Sequence, residues 1–350
     1  MKNKKLIGVL AVLAIFIVMS FIKDNHAQKK RITENEIPTI GILQFVSHPA
    51  LDDIYKGLVD ELEKQGFKDG KTAKIVFQNG QADQSKLTSM SQHLLNEGSD
   101  VLVGIATPAA QALANQTTEV PIVLGAISDP KSAGLVRDNQ KPGGNITGVS
   151  DQSPVKAQLD LVKEILPGKK KMGILYSSAE DNSAYQVEKI TKEAKKNQFE
   201  VKSYAVPSTN EIAQMMQVIA KEVDFVYLPT DNTMANAMQT IVDIANTNKL
   251  PIIPSVDSMV EQGGLATVGI NQYDLGTQTG KMVASILKKE SEPKDTPIYT
   301  FETGDTIVNQ EQADFLGINI PKSILEKATI KGVNKKWLFL LLDKVFYGQF

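Results

Sequence analysis

The chain alternates short apolar runs with amphipathic stretches, and that rhythm is what most limits its fold. "TIGILQFV" (39–46) reads as a strand and "ALDDIYKGLVDELEKQG" (50–66) as a helix. A strand at 73–79, a helix at 85–98 and strands at 100–106 and 121–127 continue the series. Apolar runs without polar alternation need cover on both faces, which predicts parallel sheets flanked by helices, an α/β fold. The series then restarts. "MGILYSSAEDNSAYQVEKITKEAKKNQFEV" (172–201) echoes "IGILQFVSHPALDDIYKGLVDELEKQGF" (40–67), and Gly173 precedes Phe199 by the same 26 positions as Gly41 precedes Phe67. A helix at 209–221, a strand at 224–229, a helix at 233–247 and a strand at 251–256 complete the second series. Equal spacing and the same element order predict two similar lobes.

Glycine- and turn-rich stretches near 143–154, 266–276 and 297–310 predict three crossings between those lobes, suited to hinge motion. The expected division is 38–148 plus about 272–296 for the N-terminal lobe, and 149–271 plus about 297–330 for the C-terminal lobe. Residues 23–37 read as a polar tether and 331–350 as an atypical tail, with the single tryptophan, Trp337, and an apolar run too short to span a bilayer.

The N-terminus carries an address. Lys2, Lys4 and Lys5 precede 17 uncharged residues at 6–22, the order of a secretory signal and also the length of a short span. Residues 1–22 are therefore expected to be a signal peptide or membrane anchor, and the rest of the chain to work outside the cytoplasm, at the cell surface or secreted. The chain has 350 residues and a net charge of −2, so no basic field points to nucleic acid. It has no cysteine, which removes disulfides, thiol catalysis, thiolate metal sites and lipid-modified cysteine.

Enzyme signatures are missing: no G-x-S-x-G elbow, no Walker loop, no dinucleotide fingerprint. Of three histidines, His26 is in the tether, His93 is mid-helix, and His48 follows the first strand without an obvious metal partner. No catalysis, cofactor or metal is expected. Polar residues instead recur where strands end: Ser47-His48, Thr107 and Ser128-Asp129 in the first series, and Ser177-Ser178, Thr230-Asp231-Asn232 and Ser255-Val256-Asp257 in the second. Ligands of open parallel sheets sit beyond that edge. In "VGIATPAAQALA" (103–114) a strand gives way abruptly to a helix, with Thr107 able to cap its start and Pro108 suited to its first position. A helix start can be an ordinary capped end or a cradle for an anion such as a ligand carboxylate.

The stretches "LQFVSHPALDDIYKGL", "GIATPAAQALA", "KPGGNITGVSD", "LYSSAEDNS", "AVPSTNEIA", "TDNTMA" and "MVEQGGLA" run across roughly 38–330. In them the chain resembles the solute-binding proteins of ABC importers with the type I periplasmic-binding-protein fold, in the tryptophan/tyrosine-type branch of Gram-positive bacteria. The resemblance implies a monomer that captures a small ligand between its lobes, performs no chemistry on it, and delivers it to an ABC permease and its ATPase. Two features depart from the family pattern: the missing lipidation cysteine and the tail after about 330.

The resemblance also implies an aromatic amino acid as ligand. Thr107 and the N–H groups after Pro108 would then hold its carboxylate, with Ser128 or Ser177-Ser178 completing the cradle. Asp231 would face the ammonium, Asp129 being the reserve, and Phe45 and Tyr176, in matching places in the two lobes, would either sandwich the ring or pack into the cores. Ser47, His48, Asn232 and Asp257 complete the expected lining. A DNA-binding repressor of this fold would open on a helix-turn-helix, which the N-terminal apolar run excludes. A surface receptor feeding a signalling partner stays open as the alternative, and an extracytoplasmic enzyme is third.

Overall fold

The computed structural model describes residues 37–332. The expected signal or anchor and most of the atypical tail lie outside them. Among the described residues, no helix is long and apolar enough to cross a membrane.

Two parallel sheets carry the architecture. The first series gives β1 (Thr39–Gln44), α1 (Pro49–Lys64), β2 (Lys74–Asn79), α2 (Gln84–Asn96), β3 (Val101–Ile105), α3 (Thr107–Ala114), β4 (Ile122–Gly125) and β5 (Ile146–Ser150). The second gives α4 (Val155–Ile165), β6 (Lys171–Ser177), α5 (Asp181–Lys196), β7 (Glu200–Val206), α6 (Ile212–Glu222), β8 (Phe225–Leu228), α7 (Asn232–Asn236), α8 (Met238–Thr247), β9 (Ile252–Pro254), α9 (Asp257–Glu261) and β10 (Ala266–Gly269). The chain closes with α10 (Gln272–Leu287), β11 (Tyr299–Thr300), β12 (Asp305–Asn309), α11 (Gln310–Leu316), α12 (Lys322–Leu325) and β13 (Thr329–Lys331).

The N-terminal lobe has strand order β2-β1-β3-β4-β5-β11, and the C-terminal lobe β7-β6-β8-β9. The sequence echo is thus a structural one. In each lobe the first strand pairs on one side with the second and on the other with the third, all in parallel. Gly41 and Gly173 hold the same place in that repeat. A Cβ on Gly41 would lie 2.5 Å from the Ser99 hydroxyl, so the strand needs glycine to let the following chain pass.

β1, β3, β4 and β5 are buried throughout, whereas the edge strand β2 is half-buried and the edge strand β7 is largely exposed. Along β8, Phe225 and Tyr227 join one apolar cluster and Val226 and Leu228 another, so the C-terminal sheet is covered on both faces. A smaller sheet, β10-β12-β13, adjoins it and contains an antiparallel pair, β10 with β12. The Leu265 amide joins the two sheets by donating to the Ile252 carbonyl at 2.8 Å.

The chain passes between lobes at 151–154, 270–271 and 301–304. β11 pairs with β5, so the last passage begins after Thr300. Between the second and third passages α10 returns to the N-terminal lobe and packs on α1 through glycines. A Cβ on Gly57 would meet the Tyr273 carbonyl at 2.1 Å, and one on Gly276 the Ile54 carbonyl at 2.0 Å. On the C-terminal side Gln158 of α4 is fully buried. Its amide donates to the Val268 carbonyl of β10 at 2.8 Å, and its oxygen accepts from the Tyr227 hydroxyl. That one side chain ties together two passages where they meet the C-terminal lobe.

Candidate functional site

The strands of both lobes end at the cleft between them, where doubly wound sheets take their ligands. A cavity lies there. His48, Thr107, Ser128 and Asp151 line it from the N-terminal side and the first passage, and Asn182, Thr230, Asp231, Asn232 and Val256 from the other. It is a narrow slot of about 400 Å³ including its mouth. The lobes touch across it. His48 Nε2 lies 3.2 Å from Asn232 Oδ1, and Gln84 donates to the Ala179 carbonyl at 2.9 Å.

The start of α3 faces this slot without a side-chain cap. Thr107 was expected to be the cap. It is instead the first helical residue, and Ala106 before it makes the turn at φ 74° and ψ 152°. That region suits glycine, and an alanine held there stores roughly 1–3 kcal/mol of strain. The left-handed residue takes up the change of direction one position early, which leaves the cap position to a side chain with no acceptor. Ala126, at the end of β4, also has a positive φ, of 60°, and also lines the slot. Buried first-turn N–H groups without a capping oxygen are donors that favour an anion.

The opposite wall is acidic but largely satisfied. Asp231 caps α7: its Oδ1 accepts from the Met234 amide at 2.9 Å and its Oδ2 from the Ser177 amide at 2.6 Å. Burial, then the nearby Glu180 charge, push its carboxyl up. Glu180 is itself buried and accepts from the Asn232 side-chain amide at 2.6 Å and the Thr233 amide at 2.9 Å. Because Asn232 gives its N–H to Glu180, its oxygen faces His48, and His48 Nε2 must carry the proton. Burial lowers the His48 pKa against the opposing pull of Asn232, Asp52 and Glu180, which keeps the ring neutral.

Three buried acceptors in the slot have no partner: His48 Nδ1, Asp151 Oδ1 and Asn182 Oδ1. Asn182 uses its N–H on the Thr230 carbonyl at 3.1 Å. Burial raises the Asp151 carboxyl to about 6, with a hydrogen bond from Ser128 pulling it down.

Of the residues expected from the sequence, His48, Thr107, Ser128, Asp231 and Asn232 line the slot. The others have different surroundings. Phe45 is packed in the N-terminal core, because the apolar alternation of β1 runs on past its last paired residue. Tyr176 packs against the C-terminal core. Ser47 is exposed and donates to Asp52 at 2.7 Å, within the first turn of α1. Ser177 is fully buried and contributes its amide to Asp231, while the Ser178 hydroxyl donates to the Val206 carbonyl at 3.3 Å. Asp129 accepts from the Ser132 amide at 3.0 Å. Burial would raise its carboxyl, but bonds from the Tyr185 hydroxyl and Ser132 offset this and hold it low. Asp257 accepts from the Ser258 amide at 2.8 Å, and burial, aided by Glu261, raises it to about 6. Asp151, Asn182, Glu180 and Gln272 were not anticipated. Asp151 directly follows β5 as Thr107 follows β3, so the same strand-end rule points to it.

The model of the ABC transporter substrate binding protein family matches residues 39–331. The tyrosine-binding protein of Clostridioides difficile (strain R20291) is 37% identical over 284 residues, covering 81% of this chain and 82% of that protein. A crystal structure from Streptococcus pneumoniae, described as an ABC domain in complex with L-Trp, is 49% identical. It superposes with a TM-score of 0.82 over 85% of this chain and 100% of that one. The ligand-free, open structure of a Clostridium difficile substrate binding protein with adhesive properties is 39% identical, with the same coverage of both chains and a TM-score of 0.67. The chain thus superposes better on the L-Trp complex than on the ligand-free, open structure.

Proposed function

The chain belongs to the ABC transporter substrate binding protein family, a family of binders rather than of enzymes, and from that premise we propose that it captures a free aromatic amino acid, tryptophan or tyrosine, between its lobes. The observation that carries this reading is the uncapped start of α3 inside the slot, a ready seat for the ligand carboxylate, with Thr107 and Ser128 beside it. The tyrosine-binding relative and the L-Trp complex support the aromatic side chain. The lobes, 39–150 with 272–300 and 155–269 with 305–331, move as rigid bodies on the three passages and close on the ligand. The captured amino acid is handed to an ABC permease and its ATPase on the extracytoplasmic face. The protein acts as a monomer, with its N-terminal segment as signal or tether.

The test is calorimetric titration of the purified chain with L-tryptophan and L-tyrosine, together with mass spectrometry of small molecules released by denaturing it. Micromolar or tighter binding of either, or its recovery from the denatured protein, is expected. No heat with either and no amino acid recovered would overturn the reading.

A further inference from the structure

We propose that the amino group of the ligand, seated among His48, Asp151 and Asn182, is what locks the two lobes together. This rests on the amino-acid reading above and goes beyond it by naming the group that drives closure. An ammonium has three N–H donors and no acceptor, and carries one positive charge. The slot offers three buried acceptors without partners, His48 Nδ1, Asp151 Oδ1 and Asn182 Oδ1, one of them on a carboxylate. A neutral donor such as an indole N–H or a phenol O–H satisfies only one of the three. A carboxylate would be repelled by Asp151 and is drawn instead to the start of α3.

The origin of the three acceptors gives the ammonium its mechanical role. His48 stands between β1 and α1 in the N-terminal lobe, Asp151 is the first residue of the first passage, and Asn182 is in the first turn of α5 in the C-terminal lobe. One nitrogen therefore joins lobe, hinge and lobe. The seat offered to the carboxylate, by contrast, belongs wholly to the N-terminal side. A ligand shifts a conformational equilibrium only by its differential affinity for the two states. The carboxylate binds open and closed forms alike, and the ammonium finds all its acceptors only in the closed one.

The experiment compares L-tryptophan and L-tyrosine with their deaminated counterparts, indole-3-propionate and 3-(4-hydroxyphenyl)propionate, by calorimetry and small-angle scattering on the intact chain. The amino acids are expected to bind and to reduce the radius of gyration. The deaminated acids are expected to bind about thirty-fold or more weakly, as for loss of one partner of a buried charge pair, and to leave the scattering curve unchanged. In Asp151→Asn the amino acid should fall towards the affinity of its deaminated analogue, while the analogue itself changes little. Asn182→Ala should move the same way by a smaller step and stands in if the first variant does not fold. Deaminated acids that bind within threefold of the amino acids and compact the protein equally would overturn the lock. If neither aromatic amino acid binds, the ligand reading fails on its own. The comparison is then run on other amino acids and their deaminated acids, where equal compaction by both again overturns the lock.

Discussion

Asp151 is a carboxylate in a place that does not favour its charge. Its carboxyl titrates near 6 in the folded protein, against 3.8 for an unperturbed group, because it is buried. The folded state therefore binds this proton more tightly than the unfolded state. The group lowers stability at neutral pH, and the loss is recovered as pH falls from above 6 towards 4. Asp151→Asn is accordingly expected to raise the stability of the ligand-free protein at pH 7.5 by about 1–3 kcal/mol, read by urea denaturation, while it weakens ligand binding. In the unmodified protein, amino-acid affinity should fall by up to about tenfold per pH unit below 6, as ammonium and proton compete for the carboxylate. Affinity independent of pH between 7.5 and 5 would remove Asp151 from the binding event. The polar part of this site was half legible in the sequence. His48, Thr107, Ser128, Asp231 and Asn232 were reachable because strand ends in such sheets face the cleft. Asp151 escapes the sequence reading because the short β-like stretch before it gives no clear strand end to count from, although it directly follows β5. Phe45 shows the converse limit: an aromatic residue at a strand end has the same pattern whether it enters the core or a pocket, and here it enters the core.

The elements themselves were more legible than their ends. Continuous apolar runs located β1, β3, β4, β6 and β8, and the interval shared by Gly41 and Gly173 identified the repeat that the sheet orders then display. The start of α3 moved by one residue because a positive φ at Ala106 has no sequence signal when the residue is not glycine. The β10-β12-β13 sheet was not anticipated, since its strands mix polar with apolar residues and carry no continuous apolar run. The contact between α1 and α10 was likewise invisible, because it depends on two glycines 219 positions apart, Gly57 and Gly276. It matters to the site: α1 follows His48, and Gln272, which also lines the slot, opens α10. Gly57→Ala forces a methyl group onto the Tyr273 carbonyl, so the helices must move apart. A loss of about 1–3 kcal/mol in unfolding free energy is expected, with weaker ligand binding as His48 shifts. Unchanged denaturation midpoint and slope would show that the helices tolerate the extra group.

At the scale of the whole molecule, two lobes meet over a slot and are joined by three short passages. Gln158 keeps two of these in register where they meet the C-terminal lobe, bonding to β10 and to Tyr227 from within the core. Gln158→Leu fills the space but strands the Tyr227 hydroxyl and the Val268 carbonyl. Each orphaned buried group costs about 1–3 kcal/mol, so cooperative unfolding of the C-terminal lobe should come at markedly lower urea concentration. Full retention of the midpoint would mean that water or rearrangement satisfies both groups. The narrowness of the slot has a different consequence, one of time. A slot so narrow leaves an amino acid no way through while His48 and Asn232 remain in contact. A captured molecule would then depart at the frequency with which the lobes swing apart, a frequency its own contacts across the slot help to set. Residence becomes a property of the hinge, and whatever receives the cargo has only to prise the halves open to set the clock to zero.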